Sequence, residues 1–392
     1  MWNVEFYTDF SWQHKAVWQT PDTPFMQLAF WQAMTDSGAI GAEAGWLPLY
    51  AAVSRAGQLV AVMPVFIKDH HQGEYVFDHA WAEAYLRYGA EYYPRLVTSV
   101  PYTPVTGQRV WLASGEVLDA ALWQVLSQAI AHLAEQVSAS SWHGLFVPAT
   151  MRQVTKEADS DVITRLGCQF MWHNLDGDGQ PFADFAGFLA TLTAKRRKTI
   201  RVERDKVAKQ NLVCRRKLGA DITAADWQAF YQCYAMTYLV RGRQPYLTLD
   251  FFQQIAESQA AHLMLAQALD ASGDIVASSL FWYDAHTLYG RYWGSLADYD
   301  SLHFELCYYQ GIEFAIAQGL TRFDPGTQGE HKLIRGFAPT LTHSLHHVYD
   351  ARFATPIRQF CVQEAQAVQA YYADALTALP FNADYLAKRG LG

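Results

Sequence analysis

The chain is poor in several features that would assign it quickly. Only five of its 392 residues are cysteines: Cys168, Cys214, Cys233, Cys307 and Cys361. Their number is odd and no two form a C-x-x-C pair. That argues against a disulfide framework or a zinc ribbon and fits a reducing compartment. Charged residues make up 17%, with enough apolar material beside them to argue against a disordered chain. No run of about 18 apolar residues occurs, so no membrane span is expected. The opening stretch MWNVEFYTDFSWQHKAVWQT has neither the basic start nor the apolar core of a signal peptide. A cytoplasmic protein is the expectation.

What is present is apolar and aromatic. Apolar residues reach 51% and aromatics 15%, which points to large packed interfaces or aromatic-lined clefts. The length allows two domains or one large one. The net charge of −8 hides an asymmetry. Residues 195–217, KRRKTIRVERDKVAKQNLVCRRK, hold eleven Lys/Arg against Glu203 and Asp205, hence +9; the other 19 basic and 36 acidic residues sum to −17. A basic patch on an acidic body suits a phosphate-bearing partner.

The sequence also repeats itself. PFMQLAFWQAM (24–34) resembles PYLTLDFFQQI (245–255). Each is followed by two apolar runs around a turn, LPLYAAVSRAGQLVAVMPVF and HLMLAQALDASGDIVASSLFWYD, which read as β-hairpins. Each half then has a long amphipathic helix, DAALWQVLSQAIAHLAEQV or HFELCYYQGIEFAIAQGL, and a short strand ending near proline, GLFVP or RFDPG. The result is one α/β or α+β unit used twice. The basic segment reads as one or two helices, with Thr193 as a cap. TPIRQFCVQEAQAVQAYYADALTAL reads as a helix, and the last ten or so residues as a tail.

Three long stretches resemble a family: GEYVFDHAWAEAYLRYGAEYYPRLVTSVPYTPVTGQR (73–109), AKRRKTIRVERDKV (194–207) and LHFELCYYQGIEFAIAQGLTRFDPGTQGEHKLIRGFAPT (302–340). They look like the bacterial FemAB-like family of predicted N-acyltransferases, labelled for peptidoglycan biosynthesis or recognition. The resemblance implies a tandem pair of GNAT-like domains with mixed, mostly antiparallel sheets. We set them at 1–165 and 166–360, with the basic segment 194–217 in the second and a C-terminal helix and tail at 361–392. Fem-type relatives move an amino acid from aminoacyl-tRNA to an amine on a peptidoglycan precursor. The resemblance therefore implies an aminoacyltransferase with tRNA as partner.

Acyl transfer to an amine needs a proton acceptor, a stabilised oxyanion and aligned substrates. Asp324, Glu330 and His331 in FDPGTQGEHKLIRGFAPT, with Glu305 at the start of the preceding helix, are the candidates for proton handling. His303 opens the same helix. For Glu305 the competing reading is a partner of the helix dipole. Lys332 and Arg335 are candidates to bind a carboxylate or phosphate; Gln328 and Tyr309 complete the expected substrate-lining set. The competing reading is a polar turn pinned by pairs such as Glu330 with Arg335. In the first half, Asp78 and Trp81 lie among aromatics as substrate-binding candidates, Asp78 either as a base or as the partner of a buried donor, and Arg109 sits in the turn YTPVTGQR, which would cradle a phosphate or place Arg109 in an ion pair. Lys195, Arg196, Arg197, Lys198, Arg201 and Arg204 are the polyanion-binding candidates; a solvated helix paired with the acidic body is the alternative.

Two alternatives to the aminoacyltransferase stay open: an acyl-CoA-dependent N-acetyltransferase, and a non-catalytic protein binding a cell-wall precursor or RNA. The stretch GSLADYDSLHFELC lacks the Gln/Arg-x-x-Gly-x-Gly/Ala turn that holds a pyrophosphate, which counts against CoA. His343, His346 and His347 have no carboxylate or Cys pattern at zinc spacing, so no metal is expected. No tightly bound cofactor and no DNA are expected, and a monomer fits a tandem pair.

Overall fold

The computed structural model describes residues 1–327 and 329–390. The chain forms two units, Met1–Gly167 with Leu341–Gln369, and Cys168–Thr340 with Ala370–Gly392.

In the first unit the strands are β1 (Trp2–Tyr7), β2 (Leu47–Arg55), β3 (Gln58–Lys68), β4 (Arg95–Thr98), β5 (Trp111–Leu112) and β6 (Ser141–Gly144). β1, β2, β3 and β4 pair antiparallel in that order, β5 adds to β3, and β4 runs parallel to β6. The turn between β2 and β3 places Gly57 at φ 83°, a conformation glycine adopts without cost. β3 is buried from Val60 to Phe66, so its apolar run is unbroken rather than alternating. The helix Ala120–Val137 lays Leu122, Trp123, Leu126, Ile130 and Leu133 on this sheet at spacings of three and four. Asp119 caps it, accepting the Leu122 N–H at 2.8 Å.

The second unit holds β7 (Ile163–His173) from residue 168 onwards, β8 (Val213–Leu218), β9 (Leu263–Leu269), β10 (Ile275–Tyr283), β11 (Thr287–Ser295) and β12 (Arg322–Asp324). β8 to β11 are antiparallel, β11 runs parallel to β12, and β12 pairs antiparallel with the end of β7. The helices Ala224–Leu239 and Leu249–Ser258 join β8 to β9. A Thr223–Asp226 capping box starts the first of them. Its backbone lies close on β11: a Cβ on Gly294 would stand 1.8 Å from the Cys233 carbonyl oxygen. The helix between β11 and β12 is not uniform. Leu302–Phe304 and Gln310–Ala317 flank a π-helical turn, Glu305–Tyr309, whose five residues are all buried.

Each unit thus follows one order: a strand, helical turns, an antiparallel hairpin, a further strand, a helix and a strand parallel to the one before that helix. This is the tandem pair of GNAT-like units with mixed, mostly antiparallel sheets.

Three local features differ from the sequence reading. The strand expected at GLFVP is Ser141–Gly144, and Phe146 beyond it turns at φ 51°. β13 (Ala338–Val348) pairs its Leu345–Val348 end with β6. Residues 341–369 therefore belong to the first unit, although they follow most of the second in sequence. The expected tail contains the helix Ala383–Arg389, capped by Asn382 accepting the Tyr385 N–H at 2.9 Å.

Candidate active site

β11 and β12 form the parallel pair of an otherwise antiparallel sheet. Their register runs Thr287–Arg322, Leu288–Phe323, Tyr289–Asp324 and then stops. β11 continues to Ser295, while the other chain leaves β12 at Pro325. A cavity of about 370 Å³ opens between them, lined by Gly290 to Trp293 on one side, by Pro325, Thr327, Gly329, His331 and Lys332 on the other, and by His303, Cys307 and Tyr308 of the helix. The carboxyl ends of parallel strands are where α/β sheets place ligands.

The polar groups around this cleft have distinct roles. Asp324 is committed: Arg291 Nη2 donates to its Oδ2 at 2.7 Å and the Gly326 N–H to its Oδ1 at 2.9 Å. Lys332 points its ammonium at the carbonyls of Pro325, Gly326 and Thr327, at 3.3, 2.7 and 3.0 Å. Three donors meet three acceptors, and the loop is pinned. Burial pushes the Lys332 ammonium down to about 8.

His331 differs. Its Nε2 lies 2.8 Å from the Tyr308 hydroxyl. Burial, with the Arg335 and Lys332 cations, lowers its pKa, so the ring is neutral at neutral pH. Burial also holds His303 down at about 4, helped by His331, Arg335 and Lys332, and raises the Tyr308 phenol so that it keeps its proton. Gly329 makes the His331 pose possible: at φ 94°, a Cβ there would stand 2.1 Å from the imidazole Cε1. The cleft therefore presents a neutral imidazole joined to a phenol, a combination suited to taking up and returning one proton.

The matching place in the first unit is closed. β4 and β6 stay paired to Thr98–Gly144, and the Leu145 N–H continues the ladder to the Thr98 carbonyl at 3.0 Å. Arg109 fills the region beyond. Its Nε donates to Leu145 O at 2.9 Å, Nη1 to Gly107 O and Gln108 O at 3.0 and 2.7 Å, and Nη2 to Phe146 O at 3.1 Å and to Val105 O. Burial lowers this guanidinium to about 10. Arg109 caps carbonyl groups and has no donor directed at a phosphate.

The family model described as FemAB-like, peptidoglycan biosynthesis/recognition, matches residues 6–383. The chain belongs to the FemAB-like family. Among curated proteins none matches it. Solved structures similar to it include L-PGS from Bacillus licheniformis (12% identity, TM-score 0.48, 88% of this chain and 98% of that one). FemX is similar at 11% identity and TM-score 0.48, over 86% of this chain and 96% of that one. A tandem GNAT protein from the clavulanic acid biosynthesis pathway is similar at 9% identity and TM-score 0.39, over 88% and 98%.

In this FemAB-like chain the candidate residues separate into groups. His331 and Lys332 line the second-unit cleft and Asp324 stands behind its wall. Glu330 is exposed, with the Tyr371 hydroxyl at 3.3 Å. Arg335 does not pair with Glu330. It is buried, bound to Glu203 and to the Tyr309 hydroxyl, so it meets no substrate carboxylate. Glu305 accepts Arg204 Nε and Nη2, both at 3.0 Å, and Gln310 Nε2 at 2.7 Å, and it is buried outside the lining of the cleft. Gln328 lies outside the described residues.

Asp78 and Trp81 are buried in the first unit. Arg95 Nη1 stands 3.0 Å from Asp78 Oδ2, and the Tyr92 hydroxyl donates to the same oxygen at 2.5 Å. Arg95 Nη2 also meets Glu74 at 2.8 Å, and Glu74 lies 3.5 Å from the Lys68 ammonium. The charges of this network balance, while Asp78 Oδ1 is buried with no hydrogen-bond partner among the described residues. Trp81 stacks edge-on against His346 at 4.9 Å.

The six polyanion candidates divide by burial. Arg197 Nη1 donates to Leu192 O at 2.5 Å and Ala190 O at 3.2 Å, and Arg204 is held by Glu305 and Glu313. Lys195, Lys198 and Arg201 are exposed and Arg196 is half-exposed, and these four have no ion pair among the described residues. Arg215 and Lys217 pair with Asp226, and Arg216 with Glu313. The free charge of the segment is therefore smaller than its sequence count.

Tyr308 is the cleft residue the sequence reading passed over; His303, which it weighed with Glu305 at the start of this helix, lines the cleft. α-Helical spacing puts Glu305 and Tyr309 on one face and His303 and Cys307 on another. The π turn admits an extra residue and brings Tyr308 beside His303 and Cys307. Among the described residues no cluster of three His, Cys, Asp or Glu groups is placed to hold a metal.

Proposed function

We propose that the second unit is the transfer centre of an N-acyltransferase, an aminoacyltransferase acting on an amine of a cell-wall precursor. The observation that carries this reading is the neutral His331 imidazole joined to Tyr308 at the opening between β11 and β12. The amine nitrogen attacks the acyl carbonyl, the new C–N bond forms, and one N–H proton leaves. The donor's C–O bond breaks, and its oxygen needs a proton. His331 takes the first proton, and the His331–Tyr308 hydrogen bond supplies the second. The exposed cations Lys195, Lys198 and Arg201, with the half-exposed Arg196, support tRNA as donor carrier. An acyl-CoA donor would need the same proton handling with a sulfur leaving group. The family's link to peptidoglycan supports the acceptor class. The five cysteines are free thiols, which supports a cytoplasmic site of action.

The test incubates the purified protein with charged total tRNA, or with acetyl-CoA, and an amine-bearing muropeptide precursor, and reads amide product by mass spectrometry. Product is expected from the tRNA arm, and His331→Ala should slow it by roughly 10²- to 10⁴-fold. Product from acetyl-CoA alone selects the CoA enzyme. Precursor binding without product from either donor selects a binding protein.

A further inference from the structure

Two consecutive residues of the helix Ala194–Lys209 grip the segment that carries the cleft's phenol. Arg204 holds Glu305, the first residue of the π turn. Glu203, a residue the transfer chemistry does not use, reaches the other end of that turn and the loop after β12. Its Oε1 receives Arg335 Nη2 at 2.5 Å and its Oε2 accepts the Tyr309 hydroxyl. The Tyr309 oxygen in turn accepts Arg335 Nε at 2.9 Å, which closes a three-membered ring of charge-assisted bonds.

Arg335 has one nitrogen left, and its Nη1 donates to the backbone carbonyl of His331 at 2.7 Å. The guanidinium lies 3.4 Å over the Phe304 ring, and that ring stands 5.7 Å from the His331 ring. Arg335 is 2% exposed. A planar fork satisfied on every side, on a buried aromatic, has one geometry. The residue it holds, His331, has its ring in the lining of the cleft. The opposite surface of the same helix carries Lys195, Lys198 and Arg201 in solvent.

We propose that Glu203 and Arg335 are positioning residues: their buried brace fixes His331 and ties it to the helix bearing the exposed cations. The inference rests on the transfer reading of the second unit. A polyanion that shifts or stiffens the helix reaches the imidazole through Glu203, Arg335 and the His331 carbonyl. Neither brace residue touches substrate.

The test uses the full-length protein with ¹⁵N-labelled histidine. Glu203→Gln keeps the shape and removes the charge that balances Arg335, so the His331 titration midpoint should fall. Arg335→Gln removes the cation beside the ring, so the midpoint should rise. Opposite shifts are a signature that a general loss of stability does not produce. The exposed His132 of the first unit serves as control and should not move. In the transfer assay, Glu203→Gln should lower kcat roughly 10- to 100-fold with the donor KM within about two-fold of wild type.

Total tRNA should move the His331 signals in the wild type and not in Glu203→Gln. Unchanged His331 signals in both variants, or shifts in the same direction accompanied by a lower Tm, overturn the brace. Equal tRNA responses in wild type and variant overturn the tie to the helix. If Arg335→Gln does not fold, Tyr309→Phe removes one oxygen of the ring and should still displace the His331 signals; if it leaves them in place, the brace is overturned. A wild type that transfers nothing counts against the transfer reading, while the His331 signals still decide the brace.

Discussion

Hydrogen-bond partners assign roles at the residue scale that residue type leaves open. Arg95 is always a donor, so His143 Nδ1, 3.3 Å from Arg95 Nη1, must be an acceptor. His346 Nδ1, 3.0 Å from the same atom, must then carry a hydrogen. His143 Nε2 keeps its own hydrogen for Ser141 Oγ at 2.8 Å. His143 is therefore neutral, and burial, with the Arg95 and Arg165 cations nearby, holds both rings well below the ordinary imidazole value. In the unfolded chain they titrate near 6.5. Below that pH the unfolded state takes up protons that the folded state refuses. Stability should be full above about pH 6.5 and fall beneath it by roughly 1.4 kcal/mol per pH unit for each ring. Urea unfolding at pH 7.5, 6.0 and 5.0 checks this, and a flat profile would contradict it. A second outcome concerns Arg109. Arg109→Met strands buried carbonyls, so it should cost about 2–4 kcal/mol, measured as a fall in urea midpoint. The molecules that remain folded should transfer at the wild-type rate, because Arg109 lies in the closed unit.

At the scale of elements, the helix Ala194–Lys209 has two faces with different surroundings. Its inward residues Arg197, Glu203 and Arg204 hold structure; its outward Lys195, Lys198 and Arg201 are free to meet phosphate. Replacing those three together by Ala should weaken tRNA binding and reduce the slope of log K against log salt by up to about 3. The Tm should stay near wild type, since exposed charges contribute little to stability. Arg204→Ala should instead lower the Tm, because it leaves Glu305 buried without its cation. Filter binding over a salt series, with a melting curve for each variant, separates the two faces. An equal loss of binding in both variants would contradict the division.

At the scale of the whole molecule, the two units share an element order and differ at the parallel strand pair. The parallel pair β11–β12 opens into a cleft, and β4–β6 stays closed around Arg109. On the transfer reading, one donor site per chain is expected, to be read as a 1:1 stoichiometry in calorimetry with a non-hydrolysable aminoacyl-tRNA analogue. β13 adds a consequence for folding. It supplies the strand beside β6, so a chain ending at residue 340 leaves that edge bare. Such a chain should lose hydrogen-exchange protection in Ser141–Gly144 of the first unit, although that unit's other strands are intact in sequence.

The sequence by itself determined the elements. Apolar spacing of two and of three or four is a local property, and it marked both hairpins, the helices after them and the repeat that made the fold a tandem pair. It also located the loop 323–340 from its density of polar groups. Only the tertiary structure decided what those groups do. Whether a carboxylate is a base or an anchor depends on which cation stands beside it. Asp324 met Arg291, Glu305 met Arg204 and Arg335 met Glu203, each from a distant part of the chain. Lys332 folded back on its own loop, leaving His331 of that loop to meet Tyr308 in the cleft. The π turn that brought Tyr308 to it has no signature in apolar periodicity, because inserting one residue into a helix alters hydrogen-bond partners without altering composition. The strand exchange of β13 was hidden for a similar reason: pairing joins residues about 200 positions apart, and no local pattern records the partner.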